Sequence, residues 1–331
     1  MTNTSSGVTV YFSDAMQQKN SSFSPSSSKP AQVVLDWQTH FPGKVTILPV
    51  QALNKDVFKH IHQADYVNGI FNGTKANGFG LKDAQFSDTF LYTSGSLYQA
   101  SIQALEMGLA ISPTSGFHHA GYAKAEGFCT FNGLVLVAKM LFEQHHLNKI
   151  GILDFDMHYG NGTVELLKKH QMNYVTHYTA GRYYDLYYPS LDFIKPVIKS
   201  VYNRFFTKKK AKHSDNSTAQ PQLRQKLLAK KGKGDDFIAQ IPEILDSFKQ
   251  CQIIIYQAGA DQHINDPYGG LLTYEQMIER DRLVFEFARK NHIPLVWNLA
   301  GGYQRDSSGS IEPVLQCHRN TFKQCLETYS L

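Results

Sequence analysis

The chain has 331 residues, 42% of them hydrophobic and 18% charged, and a formal net charge of +5. That apolar share excludes a wholly disordered chain, and no run of about 18 uncharged apolar residues is present to form a spanning helix. Four scattered cysteines exclude a disulfide framework and a Cys-x-x-Cys metal site, so a reducing compartment is expected.

The charge is unevenly placed. Lys195 to Lys233 holds twelve basic residues against the single acid Asp215, a net +11, which leaves −6 on the remainder. The N-terminus lacks a basic stretch followed by an apolar one, so no signal peptide is expected and the setting reads as cytoplasmic or nuclear, with no membrane partner.

In chain order, Val8 to Phe12 and Val45 to Leu48 read as strands. Between them, residues 20–30 read as a Ser/Pro-rich loop. Helices are expected over Asp56 to Ile70, over Ser94 to Leu109 with Ser94 as N-cap, and over Asn132 to His145. The second half alternates more clearly. Strands are expected at Ile150 to Leu153, Tyr174 to Tyr178, Ile253 to Tyr256 and Pro294 to Leu299. Helices are expected at Gly162 to His170, Phe237 to Phe248 and Thr273 to Asn291. This alternation predicts an α/β fold, a parallel sheet with helices on both faces, whose ligands bind beyond the strand C-termini.

Chemistry-bearing residues fall at those ends. Asp154, Asp156 and His158 alternate after an apolar strand, and Asp261 closes another. Asp156, His158 and Asp261 would give a divalent cation three protein ligands and leave a position open, the catalytic pattern for zinc. Alone, each has an ordinary explanation as a helix-capping carboxylate or an exposed imidazole; two strand ends together strengthen the metal reading. His118 and His119 form a pair in a Gly-flanked loop suited to acid–base work, although an isolated pair reads better as solvated. Gly127 lets backbone approach a ligand, Phe128 can wall a channel, and Cys129 reads as a buried small residue. Tyr303, after Gly301-Gly302, can offer a hydroxyl to a developing oxyanion, although by itself it reads as an ordinary tyrosine.

Six ordered motifs resemble the zinc-dependent histone deacetylase family, its bacterial members and the acetylpolyamine amidohydrolases included. They are Gly116-Phe117-His118-His119-Ala120, Gly127 to Asn132, Asp154 to Gly162, Gly259-Ala260-Asp261, Asp266 to Gly270, and Gly301-Gly302-Tyr303. The resemblance spans about Val8 to Thr321 and implies the arginase–deacetylase fold, one parallel sheet of about eight strands in a single domain over 1–331. It implies Zn²⁺ on Asp156, His158 and Asp261, with His119 as general base and later acid. His118, supported by Asp154, would tune the site, and Tyr303 would stabilise the oxyanion. Gly127, Phe128, Tyr188, Gly301 and Gly302 would line the substrate tunnel. A structural K⁺ is implied near Asp154, Asp156 and His158, with oxygens around Thr176 and His177. The implied substrate is an acetylated protein, histones among them.

Some residues depart from the family pattern. Asn161 stands where many members have an Asp partner for the second histidine. Asp83 and Asp88 are weak candidates for a substrate-clamping Asp. A basic insertion, 195–234, replaces the usual Gly-rich rim. An arginase-like two-metal site is disfavoured, because His263 stands two residues past Asp261 where a further carboxylate is needed. An acetylpolyamine substrate would be repelled by the +11 segment. That segment also suits DNA or nucleosome contact, or nuclear import. Such a run on a bacterial-type core further allows a secreted protein acting in a host nucleus.

Overall fold

A computed structural model describes residues 7–17, 24–185 and 233–331. Tyr188 and all of the basic insertion except Lys233 and Gly234 lie outside the described residues. Among the described residues seven strands form one sheet, in keeping with the expected parallel sheet of about eight: β1 (Val8–Tyr11), β2 (Val45–Leu48), β3 (Leu109–Ile111), β4 (Ile150–Asp154), β5 (Val175–Thr179), β6 (Ile253–Gln257) and β7 (Leu295–Asn298). Their order is β2-β1-β3-β7-β6-β4-β5, and every pairing is parallel.

Both faces of the sheet are buried, which explains why the central strands are apolar without alternation. Ile254, Tyr256, Leu295 and Trp297 pack into one core with Trp37 and Phe322; Ile253, Ile255, Ile152 and Val296 pack into the other with Leu134 and Phe131. The first core is covered by α1 (Lys29–His40), α7 (Lys233–Asp246), α8 (Tyr274–Lys290) and α9 (Glu312–Tyr329). The second lies under α2 (Ala64–Phe71), α3 (Ala84–Met107), α4 (Gly133–His145) and α5 (Asn161–Lys169). A single turn, α6 (Gly181–Tyr184), follows β5. Among the described residues no helix is long and apolar enough to cross a membrane.

Several expected elements differ. The helix expected over Asp56 to Ile70 is a 3-10 turn, Lys55–His60, followed by α2. It breaks because Gln63 donates its backbone N–H to Tyr122 O at 2.8 Å instead of continuing the helix. Ser94 is buried inside α3; Asp83 is the N-cap, accepting from the Gln85 and Phe86 N–H groups. Leu109, expected in that helix, begins β3, because Gly108 at φ +85° ends the helix in a left-handed cap. Lys29 and Pro30 leave the expected loop to open α1, with Pro30 in the first turn, where a missing N–H costs nothing.

Candidate active site

The sheet register sets the site. Asp154 pairs with Gln257, and Gln257 with Asn298, across three central strands. Their side chains form one polar row: Asn298 Nδ2 donates to Gln257 Oε1 at 3.1 Å, and Gln257 Nε2 donates to Asp154 Oδ1 at 3.0 Å. Just beyond this row the chain leaves the sheet and carries Asp156, His158 and Asp261 together.

His158 Nδ1 lies 3.1 Å from Asp156 Oδ1 and 2.9 Å from Asp261 Oδ2. One donor atom from each residue lies within 4.8 Å of the others, so the three can hold a metal ion. Asp156 is 2% and Asp261 0% exposed, so neither charge is relieved by water. Burial, then the Asp156 charge, pushes the Asp261 carboxyl up to about 7. Burial also disfavours a charged His158, but the hydrogen bonds it donates to Asp156 and Asp261 hold its imidazole well above the usual range. One nitrogen and two crowded carboxylates are a donor set that a divalent cation neutralises, and N and O ligands suit zinc.

The backbone is shaped to this cluster. Met157 N–H donates to Asp261 Oδ1 at 3.1 Å, and Gly301 N–H to Asp156 Oδ2 at 2.7 Å. A Cβ on Gly301 would stand 2.2 Å from Asp261 Oδ2, so only glycine fits. Gly302 faces away, toward Ala260 and Val314, and supports the turn instead of lining the cavity. Lys29, which sequence reasoning passed over, is fully buried and donates to Ala300 O at 2.6 Å and Gly301 O at 3.0 Å. Burial lowers its ammonium to about 8, opposed by the charges of Asp261, Asp156 and Asp266.

The histidine pair is split electrically. His118 Nδ1 donates to Asp154 Oδ2 at 2.8 Å. Burial works against charge there, but Asp154 and Asp156 raise the imidazole to about 9, so it is cationic at neutral pH. His119, with ring centroid 4.1 Å away, is held neutral: burial, then the His118 charge, lowers it to about 3. Its Nδ1 lies 2.7 Å from Asn161 Oδ1. A neutral imidazole beside a cationic one gives the pocket a base and a fixed positive charge.

Tyr303 closes the far side, with His158 and Phe128 ring centroids at 6.2 and 5.9 Å. Burial, then Asp156 and Asp261, drives its phenol well above 10, so it stays a hydrogen-bond donor. Asp266 holds it in place by accepting the Tyr303 N–H at 2.7 Å; the Asp-Pro-Tyr motif carried this signal, although its role was not assigned. The narrow cavity between these groups is lined by Gly127, Cys129, Asp156, Gly301 and Tyr303 among others.

Gly127 and Phe128, at φ +54° and +63°, occupy the centre of a tight turn closed by paired backbone bonds between Glu126 and Cys129. Positive φ at both central positions is type I′ geometry, which strains a residue such as Phe and suits Gly. A Cβ on Gly127 would stand 2.4 Å from His119 Cδ2. Cys129 is buried, and burial drives its thiol upward, away from nucleophilic chemistry. The register sets Thr179 beside Asp154, whereas Thr176 and His177 lie three and two positions upstream on β5. Asp83 is engaged as the α3 cap, and Asp88 is exposed on that helix.

Residues 25–316 match the profile of the histone deacetylase domain. The chain is 27% identical over 288 residues to Histone deacetylase 2 of Arabidopsis thaliana, across 82% of this chain and 67% of that one. It is 26% identical over 258 residues to an uncharacterized protein of Picosynechococcus sp., across 74% and 75%. A crystal structure of acetylpolyamine aminohydrolase from Burkholderia pseudomallei matches with TM-score 0.68 at 13% identity, across 97% and 99%, a likeness of fold. With that profile covering most of its length, the chain belongs to the zinc-dependent histone deacetylase family and is an amidohydrolase with the arginase–deacetylase fold.

Proposed function

We propose that this hydrolase removes acetyl groups from lysine side chains of proteins, histones among them, with Asp156, His158 and Asp261 holding one zinc ion. The observation that carries the reading is the N,O,O donor set beside a buried histidine pair, His118 bonded through Nδ1 to Asp154 and His119 to Asn161. When bound, zinc polarises the amide carbonyl and lowers the proton affinity of a water. His119 takes the proton of the attacking water at Nε2 and returns it to the departing lysine amine. His118, cationic against Asp154, favours negative charge forming at the carbonyl oxygen. Tyr303 donates its hydroxyl to that oxygen. Gly127, Phe128 and Gly301 flank the acyl-lysine stem. A potassium ion beside Asp154 is part of this reading, and the strand register favours Thr179 as the neighbouring hydroxyl over Thr176 and His177.

The domain reading is one catalytic unit over 1–331 with an inserted basic segment at 195–234. Its net charge favours an anionic surface, DNA or a nucleosome, over a polyamine cation. The fold neighbour is named for acetylpolyamines, which keeps a second reading in play. Turnover of acyl-lysine peptides, acetylated nucleosomes and acetylpolyamines, with and without a chelator, tests both. Faster turnover of acetylspermidine than of acetyl-lysine peptides would overturn the first reading, and chelator-resistant turnover would overturn the metal. Salt-sensitive DNA binding should vanish on deletion of 205–234 while peptide deacetylation survives.

A further inference from the structure

The residue behind His119 is an asparagine, and an asparagine alone is an ambiguous partner. Its amide can turn over, presenting NH₂ in place of oxygen to His119 Nδ1. That orientation would leave the imidazole proton on Nε2, the nitrogen that must stay free to act as a base. A carboxylate has no such alternative. The structure contains a group that removes the ambiguity. Asn161 Nδ2 donates to Glu126 Oε2 at 3.0 Å, so Asn161 Oδ1 faces His119 Nδ1 at 2.7 Å and the ring proton sits on Nδ1. Lys124 Nζ donates to the same Glu126 oxygen at 2.8 Å.

We infer that Glu126 is a positioning residue that fixes the tautomer of His119 by orienting the Asn161 amide. The catalytic importance of that tautomer rests on the reading of His119 as the base. Glu126 belongs to the same type I′ turn that presses Gly127 against the His119 ring, so one four-residue segment packs the imidazole and orients its partner. A purely structural role is weakly supported. The Lys124–Glu126 pair has side-chain exposures of 51% and 40%, and exposed pairs of this kind add little to stability. Partial burial raises the Glu126 carboxyl, but the hydrogen bonds from Lys124 and Asn161 bring it below its ordinary value, so it is an ionised acceptor.

The test is a set of variants of the full-length, zinc-loaded protein. Glu126→Ala should lower kcat by about 10- to 100-fold, the usual effect of losing an orienting partner, with KM within about twofold and little change in Tm. Glu126→Gln keeps an acceptor for Asn161 Nδ2 and should recover most of that loss. In an Asn161→Asp background, where the partner has no amide to turn over, adding Glu126→Ala should cause no further loss of kcat. Equal losses in both backgrounds, or wild-type kcat in Glu126→Ala, would overturn the inference. Imidazole ¹⁵N shifts give a readout independent of turnover: His119 should carry its proton on Nδ1 in the wild type and show a tautomer mixture in Glu126→Ala. An unchanged tautomer sinks the positioning role even if the chain proves to hydrolyse no acyl amide, whereas inactive wild type with the expected tautomer shift would sink only the assignment of His119 as base.

Discussion

Two clusters of fully buried charge lie on this sheet, and they are built on opposite plans. In one, Arg280 Nε donates to Asp281 Oδ1 at 2.8 Å, and Tyr256 and Thr321 hydroxyls donate to the same carboxylate at 2.5 and 2.6 Å. Arg280 also donates to Gly259 O and Gln262 Oε1, so its charge is matched within the protein, although Arg280 Nη2 and Gln262 Nε2 are buried without a hydrogen-bond partner. In the other, Asp154, Asp156 and Asp261 are buried around His118 and His158, and the two outer carboxylates converge on a single imidazole nitrogen. The first cluster balances its charge with protein groups alone. The second reaches balance by taking up a proton or a cation, which is what a site built to bind a metal requires.

The largest expected effect breaks the second cluster. Asp261→Asn should abolish zinc retention, read by elemental analysis, and with it turnover; a variant that keeps both would show that the ligands are assigned wrongly. The same substitution should raise the Tm of the metal-free protein, because one of two crowded carboxylates is gone. Asp281→Ala sharpens the contrast. It leaves Arg280 buried without its counter-charge and should cost about 3–5 kcal/mol in denaturant unfolding. Tyr303→Phe touches only the reaction. It should lower kcat by about 10²–10³ with zinc still bound, the usual loss for one oxyanion donor, and undiminished turnover would remove Tyr303 from the mechanism.

The smallest effect concerns a buried histidine outside both clusters. His62 donates from Nδ1 to Gly121 O at 2.8 Å and accepts Asn132 N–H at Nε2 at 3.0 Å, so it must be neutral when folded. Burial is the main cause that lowers it to about 4. The unfolded chain takes up this proton near pH 6.5 and the folded chain only near 4. Stability is therefore lost as pH falls through that window, by about 3 kcal/mol from this group. His62→Gln can keep both hydrogen bonds without titrating, so its unfolding free energy should fall less steeply between pH 6.5 and 4.

The site was legible in the sequence wherever local spacing carries the geometry. Asp154, Asp156 and His158 follow an apolar strand at alternate positions, and Gly-Gly-Tyr and Ala-Gly-Ala-Asp end two others. What escaped is held by distant contacts. Lys29 reaches carbonyls 271 and 272 residues away, and nothing in a Ser-rich stretch announces that. Glu126 gains meaning only once the turn at Gly127 and Phe128 folds back toward Asn161. Strand β3 has three residues, too few for a period to register, and only its first, Leu109, falls in an expected element, the helix before it. The polar row suffered the same fate, since Gln257 and Asn298 look like ordinary strand ends until the register sets them side by side.

That row makes the proposed catalytic centre a gauge of how the strands were zipped together. Asp154, Gln257 and Asn298 meet only when β4, β6 and β7 are paired in one alignment. Sliding one strand by a single residue would turn its side chains to the opposite face and separate the Asp156 and Asp261 segments. A molecule misaligned in this way would keep much of its helix content and apolar burial but could not assemble the metal ligands. On the proposed zinc reading, metal uptake during refolding would discriminate a correctly threaded sheet from a compact impostor, and the ion would arrive as the final inspector of the fold.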